Sequence, residues 1–211
     1  FARTWEGARI SLFVGFMAAL IDLIVGAIYG GIAGYRGGKT DAVRMRIVEV
    51  LYGLPYLLIV IMLMVILGPG LWTIIIALTV TGWLGMARIV RGQVLQIKNY
   101  EFVLASKTFG ANTSRIIRKN LLPNTMGVII VQMTLSVPSA IFAEAFLSFL
   151  GLGIEPPLAS WGSMANAALP VILSGDWWRL FFPAFFISLT MFSFNVLGDG
   201  LQDALDPKLR R

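Results

Sequence analysis

The sequence predicts an all-α, polytopic transmembrane helix bundle, and its composition and apolar segments support that prediction. Of the 211 residues, 57% are hydrophobic and 13% are charged, whereas a soluble domain is about 45–50% apolar and about 25% charged. Five segments are apolar over the roughly 17–25 residues that a helix needs to cross a hydrocarbon core about 30 Å thick. They cover residues 10–34, 47–67, 71–87, 126–150 and 180–198.

Individual segments carry features that test this assignment. The first contains Asp22, but the favourable insertion energy of its many Leu, Ile, Val and Phe residues outweighs the penalty of one carboxylate. Pro55 in the second and Pro138 in the fourth are expected to kink their helices. The third, with 17 residues, is the shortest.

The distribution of basic residues predicts which loops face the cytoplasm, because Lys and Arg accumulate there. Residues 35–46, 88–125 and 199–211 hold four, seven and three of them, and the opposite loops hold only Arg3, Arg9 and Arg179. This split of 14 to 3 places the N-terminus outside and the C-terminus in the cytoplasm. The chain begins at Phe1 without a signal peptide, so we expect a sixth span upstream.

The cytoplasmic segment 99–124 is too long for a simple turn and is predicted to form two short helices. Asn99 is expected to cap the first helix, Glu101 to lie in its first turn, and Gly110 to end it in a left-handed conformation. The second helix should start at Asn112 and be broken by Pro123. The apolar residues of the first helix fit two interpretations, interfacial packing or docking into another protein.

Residues 33–40, with the sequence AGYRGGKT, satisfy a relaxed Walker A spelling. A phosphate-binding loop needs a buried strand before it and a helix N-terminus after it. The segment instead follows a predicted membrane span. A glycine-rich basic turn at the membrane surface, with no strand or helix N-terminus framing it, is therefore the better interpretation.

The outer loop, residues 151–179, contains an apolar stretch over residues 164–173 that is too short to span and includes Pro170. This stretch is expected to lie at the outer interface or to turn back. Trp161, Trp177 and Trp178 suit that depth, since tryptophan is enriched at membrane interfaces.

Three polar residues inside the predicted spans are candidates for lining a translocation pathway: Glu144, Asp22 and Asn195. An intramembrane carboxylate either faces a cavity or bonds to a neighbouring helix, and both interpretations stay open for Asp22 and Glu144. Asn195, like Gln132, also fits an ordinary interhelical hydrogen bond.

The chain has neither cysteine nor histidine. Disulfides, thiol or imidazole catalysis and the usual Cys/His zinc sites are therefore excluded. We expect no catalytic residues, no bound metal and no cofactor. The net charge of +6 serves membrane topology rather than nucleic-acid binding, because so apolar a chain offers little polar surface.

Two long motifs resemble a known family. Residues 146–157 read FLSFLGLGIEPP with SWG at 160–162, and residues 194–207 read FNVLGDGLQDALDP. Together with GARISL at 7–12 they resemble the permease subunits of bacterial ABC importers for dipeptides, oligopeptides and nickel, of the "C" type. The likeness covers essentially the whole chain and implies that residues 1–211 form a single permease domain. The family's six spans would be the five segments given above and the sixth expected upstream of Phe1.

The same resemblance implies a coupling helix that seats in a cleft of the ATPase. The family signature E-A-A-x3-G-x9-I-x-L-P is matched at Ala105, Gly110, Leu122 and Pro123. Leu104, Ser106 and Asn120 depart from it. The residues assigned to ATPase coupling are Tyr100, Glu101, Phe102, Ala105, Ser106, Phe109, Gly110 and Ala111.

The resemblance implies a non-catalytic subunit of an ATP-driven peptide importer in the bacterial inner membrane. Its partners would be a second, related permease, two ATP-binding subunits, an extracytoplasmic substrate-binding protein and membrane lipid, without nucleic acid. A nickel-chelate permease of the same family is the nearest alternative. An ion-coupled secondary transporter would need inverted repeats, which the sequence lacks. A membrane-embedded enzyme would need a catalytic cluster, which it also lacks.

Overall fold

The computed structural model describes residues 2–154 and 157–205. Within those ranges all regular elements are helices, which confirms the predicted all-α class. Predictions that concern Phe1, Glu155 and Pro156 of the outer motif, residues 206–207 of the C-terminal motif, or the basic residues of 208–211 lie outside the described residues. The longer helices are α1 (Ala2–Arg36), α2 (Gly38–Tyr52), α3 (Tyr56–Leu67), α4 (Leu71–Ile97), α7 (Leu122–Phe149) and α9 (Trp178–Leu205). The shorter ones are α5 (Glu101–Thr108), α6 (Thr113–Ile116) and α8 (Trp161–Ala168).

Four helices among the described residues are long and apolar enough to span a membrane, and a bent pair makes five if it counts as one span. The predicted span over residues 47–67 is divided more sharply than the kink expected at Pro55, because α2 and α3 meet at an angle of 81°. Pro55 stands at the N-cap of α3 in an extended conformation. Proline lacks an amide hydrogen and disfavours helix in the preceding residue, so the chain breaks there instead of kinking.

Helix α4 extends ten residues beyond its predicted end and runs to Ile97. Its apolar face continues past the hydrophobic window, since Met86, Val90 and Val94 recur every fourth residue and are all buried. The polar residues between them lie on other faces. A window average therefore underestimates how far an amphipathic helix continues.

Two predictions about the segment 99–124 are wrong. Tyr100, not Asn99, is the N-cap of α5, and its side chain makes no capping hydrogen bond. Pro123 does not break the second helix, because a π-helical turn over Ile117–Leu121 precedes it and the helix continues to Phe149. The wider turn, closed by Leu122 N–H to Ile117 O, makes room for the proline ring. Pro138 lies inside the continuous helix α7.

The outer segment forms α8, then a 3₁₀ helix over Leu169–Ser174, and turns at Gly175 with φ 97°. Ser160 and Ser163 exchange the two hydrogen bonds of a capping box at the start of α8. Neither helix is long enough to span, as predicted from the apolar stretch.

Contacts divide the chain into two compact units. The first comprises Phe1–Ala19, Pro55–Val80 and Thr134–Asp199, over their described residues. The second comprises Leu20–Leu54, Thr81–Met133 and Gly200–Arg211, likewise over the described residues. The core of the second unit consists of Ala27, Met86, Val90, Val94, Val103, Ile116, Ile117, Leu121 and Ile129.

Within the second unit, α1 packs closely on α4 through glycines at every fourth position. A Cβ at Gly26 would lie 2.6 Å from the Met86 Cβ, and one at Gly34 would lie 2.9 Å from the Arg91 carbonyl oxygen. A Cβ at Gly30 would overlap the Ala87 carbonyl group. This Gly-x3-Gly-x3-Gly stripe lets the two backbones approach, as small residues do between membrane helices.

Candidate functional site

The first candidate site is α5, whose C-terminal end is fixed by backbone geometry. Gly110 has φ 77°, which confirms the predicted left-handed conformation. Ala111 N–H donates to Ser106 O and Gly110 N–H donates to Lys107 O, both over 3.0 Å. These two bonds form a Schellman motif, which a glycine closes without strain. In the described part of the chain, no atom beyond the two neighbouring residues lies within 4 Å of a Cβ at Gly110, so the positive φ, not crowding, requires glycine.

One side of α5 is anchored to the second unit. Val103 is 2% exposed and belongs to the same core as Ile116, Ile117 and Leu121. The Asn120 side-chain amide donates to Ser106 Oγ over 2.9 Å. Asn112 Oδ1 caps α6 by accepting from Arg115 N–H over 2.8 Å, as expected of the second helix start. The short helix is thus held against the helix that runs from Thr113 to Phe149.

The other side of α5 is exposed and aromatic. Phe109 is 89% exposed, and Tyr100 and Phe102 are also exposed, with their rings edge to face at 6.2 Å. Glu101 and Ala105 are exposed as well. A cleft of about 370 Å³ opens beside Phe109, lined by Ser106, Gly110 and Ala111 among others. The residues assigned to coupling therefore lie together on and around one anchored helix.

Glu144 lies at the centre of a closed polar network in the first unit. Its side chain is 0% exposed, and its two oxygens accept from Ser11 Oγ over 3.0 Å and from Ser148 Oγ over 2.7 Å. Ser11 Oγ in turn accepts from Trp161 N–H over 3.1 Å. The carboxylate thereby joins α1, α7 and the start of α8. A pathway-lining role for Glu144 stays a prediction, and the network offers the structural interpretation.

Glu144→Gln tests the two roles against each other. We expect a lower midpoint of thermal unfolding, because one serine hydroxyl loses its acceptor, and a buried unpaired group costs about 1–3 kcal/mol. Uptake per assembled complex should stay unchanged for peptides of different charge. Uptake that changes with peptide charge, at unchanged unfolding midpoint, would support the pathway role. Ser139→Ala, which removes an exposed hydroxyl bonded only to its own helix, is the matched control.

The other two pathway candidates lie in different surroundings. Asp22 is 8% exposed, and its Oδ1 has no hydrogen-bond partner among the described residues. Gly82 of α4 faces this carboxylate, and a Cβ there would overlap it. Asn195 is exposed on α9. A pathway role for each of these two residues stays a prediction.

The Walker-like residues 33–40 connect two helices. Helix α1 runs through Arg36, Gly37 turns with φ 63°, and α2 begins at Gly38. The expectation that no helix N-terminus frames the segment is wrong, since α2 starts inside it. A helix, not a strand, still precedes it, and a phosphate loop requires the strand.

We expect Lys39→Ala to leave ATP hydrolysis by the assembled complex at the wild-type rate. The reason is that a helix-to-helix turn does not form the backbone cradle that holds phosphates. Hydrolysis by purified complexes, measured by phosphate release, checks this. Micromolar ATP binding to the isolated chain that disappears in Lys39→Ala would contradict it.

Sequence reasoning missed the serines around Glu144 and the glycine stripe of α1. Ser148 follows Glu144 by four residues, a spacing that places both on one helix face and was available as a signal. Ser11 and Trp161 are 150 residues apart, and nothing local in the sequence connects them. The Gly-x3-Gly-x3-Gly spacing was likewise visible and is a known mark of close helix packing.

The family described as the binding-protein-dependent transport system inner membrane component matches residues 11–211. The chain is 82% identical over 211 residues to the dipeptide transport system permease protein DppC of Bacillus subtilis and covers 66% of it. It is 64% identical over 211 residues to the oligopeptide transport system permease protein OppC of the same organism and covers 69% of it. The chain thus spans about two thirds of the length of these curated relatives.

Solved structures share the fold. A chain of the MetNI methionine ABC transporter, in an inward-facing conformation, superposes with a TM-score of 0.75 at 20% identity, and 96% of each chain is covered. An amino acid ABC transporter crystallised with histidines gives a TM-score of 0.63 at 18% identity, covering all of this chain and 94% of the other. At these identities the likeness concerns the fold alone.

Proposed function

Because the chain belongs to the family of binding-protein-dependent transport system inner membrane components, we propose that it is the permease subunit of an ATP-driven importer for di- or oligopeptides. The observation that carries the substrate class is the 82% identity to a dipeptide permease over all 211 residues. The 64% identity to an oligopeptide permease supports peptides as the common cargo.

In this proposal the chain performs no bond chemistry and transmits a movement. ATP-driven closure of two ATPase subunits pushes on α5, which the Val103 anchor and the Asn120 to Ser106 bond hold against the helix beginning at Thr113. That helix continues to Phe149 without a break, so a displacement of α5 reaches a spanning helix directly. A bundle poised between two packings needs only a few kcal/mol of bias to switch.

The remaining partners follow from the same proposal. A second, related permease completes the pathway, and an extracytoplasmic binding protein delivers the peptide. The 14 to 3 division of basic residues supports a cytoplasmic position for α5 and for the C-terminus. Selection among peptides then rests mainly with the binding protein.

Radiolabelled uptake into vesicles that contain the complete complex tests the proposal. We expect ATP-dependent uptake of di- and oligopeptides that requires the binding protein, with no uptake when this permease is omitted. A nickel chelate and free amino acids serve as competing cargoes. Uptake of nickel alone would refute the peptide assignment. Uptake driven by a proton gradient without ATP would refute the importer class.

A further inference from the structure

A cleft of about 250 Å³ in the second unit combines three arginines with an apolar floor. Arg36 comes from the end of α1, Arg44 from α2 and Arg118 from the π-helical turn. The hydroxyl residues Thr113 and Ser114 of α6 line the same cleft. Three separate segments therefore direct cationic and hydrogen-bonding groups to one place.

The three guanidinium groups carry uncompensated charge. None of them is within salt-bridge distance of a carboxylate in the described part of the chain. The two acidic residues of α2 bond elsewhere, Asp41 to Arg91 over 2.5 and 2.6 Å and Glu49 to Arg46 over 3.0 Å. Guanidinium groups match carboxylate and phosphate oxygens in geometry, so a site of this kind fits an anionic group such as a phosphate.

The Arg44 side chain is also held in place by Tyr29 of α1. Its guanidinium lies 4.7 Å from the centre of the Tyr29 ring, and the Tyr29 hydroxyl donates to its backbone carbonyl over 3.1 Å. The cation on the ring face restricts the side chain before any ligand arrives. Pre-positioning of this kind lowers the entropy lost on binding.

The apolar floor determines which phosphate compound fits. Ile28, Ile32 and Arg36 recur every fourth residue of α1, so they lie on one face and rise about 12 Å along the helix. Ile28 lies inside the predicted span and Arg36 beyond its end. The cleft thus changes from apolar at the depth of acyl chains to cationic at the depth of headgroups, a gradient that a soluble phosphate does not use.

We propose that this cleft binds an anionic phospholipid, with the phosphodiester between Arg36, Arg44 and Arg118 and an acyl chain along Ile28 and Ile32. The proposal requires only that the chain spans a membrane and is independent of peptide transport and ATPase coupling. With three arginines available, the two-phosphate lipid cardiolipin should bind more tightly than one-phosphate phosphatidylglycerol. Zwitterionic phosphatidylcholine should bind weakly.

Native mass spectrometry of the assembled, delipidated complex tests the site by titration with each of these three lipids. Arg36→Gln, Arg44→Gln and Arg118→Gln combined should weaken cardiolipin binding about a hundredfold, and each alone about fivefold. The control combines Lys39→Gln, Arg46→Gln and Lys119→Gln, which removes the same charge from residues outside the cleft. It should change binding less than about twofold. If the triple variant fails to assemble, the exposed Arg118→Gln variant alone decides.

Three results would overturn the proposal. Equal losses in the cleft triple and the control triple would mean that total charge, not this site, attracts lipid. Equal binding of phosphatidylcholine and cardiolipin would remove the phosphate selectivity. Displacement of cardiolipin by an equal concentration of glycerol phosphate would assign the site to soluble phosphates. Cleft variants that bind less cardiolipin but take up peptides at the wild-type rate would still support the proposal, because lipid binding is measured separately from transport.

Discussion

Complexes that carry Phe109→Ala should lose substrate-stimulated ATP hydrolysis and peptide uptake together. The ring is 89% exposed in the isolated chain, and we expect it to be buried at the centre of the contact with an ATPase. Truncating such an aromatic often costs about 2 kcal/mol or more, which corresponds to about a 30-fold loss of affinity. Measurements of hydrolysis, uptake and ATPase copurification on the same preparation check this.

Phe192→Ala is the matched control, because it truncates another exposed phenylalanine. Phe192 lies on α9, far along the chain from α5. It should retain both activities. Gly110→Val should behave like Phe109→Ala, since a β-branched residue is strained at φ 77° and would distort the Schellman motif. The Phe109→Ala and Gly110→Val variants should both insert normally and pair with the second permease.

Cysteine crosslinking tests the contact directly, because the 211 residues contain no cysteine that would compete with the engineered ones. A cysteine at Ser106 or Phe109 should crosslink to one placed in the ATPase cleft. If no cleft position crosslinks and Phe109→Ala transports at the wild-type rate, α5 is an interfacial helix and the coupling assignment is wrong.

Gly30→Val should greatly reduce the amount of folded protein in the membrane. A side chain there would overlap the Ala87 backbone, which cannot move aside as a flexible side chain can. Overpacking of a close contact costs about 1–3 kcal/mol, and a β-branched residue stands at the upper end because its rotamers are restricted. Yield after detergent extraction and the midpoint of thermal unfolding measure the effect.

Gly92→Ala supplies the control for this prediction. Gly92 lies in α4, and among the described residues no atom beyond its chain neighbours and its own helix backbone lies within 4 Å of a Cβ placed on it. The substitution should be neutral or slightly stabilising, because alanine favours helix over glycine by about 1 kcal/mol. A Gly30→Val protein as stable as the Gly92→Ala protein would show that α1 and α4 do not depend on the glycine stripe.

Much of the fold follows from the sequence because apolar length alone identifies a spanning helix. Hydropathy predicts one end of each of α1, α7 and α9 to within two residues, and the other end differs by four to eight residues. Glycine chemistry correctly predicts the left-handed turn at Gly110. Prediction from the sequence failed where a proline interrupts an apolar helical stretch. Pro55 divides an apolar stretch that a window treats as continuous, and the π-helical turn before Pro123 rescues a helix that proline was expected to break.

The candidate site divides in the same way. The position of α5 follows from its spacing and its signature, but the identity of its buried anchor, Val103, depends on tertiary packing. The network around Glu144 joins residues that are distant in the chain, so neither periodicity nor local motifs reveal it. Features set by neighbouring residues can be predicted from the sequence, whereas contacts between residues that meet only on folding cannot.

The short length of α3 makes bilayer thickness a variable for this protein. Its 12 residues extend about 18 Å, which leaves about 12 Å of a typical hydrocarbon core uncovered by this helix. Its exposed surface is nonetheless wholly hydrophobic, with Val65 80% exposed and Ile66 71% exposed. The bilayer beside a short apolar helix thins locally to match the length of that helix. Acyl-chain length in the surrounding membrane therefore acts on the free energy of the conformation that holds α3 in the bilayer.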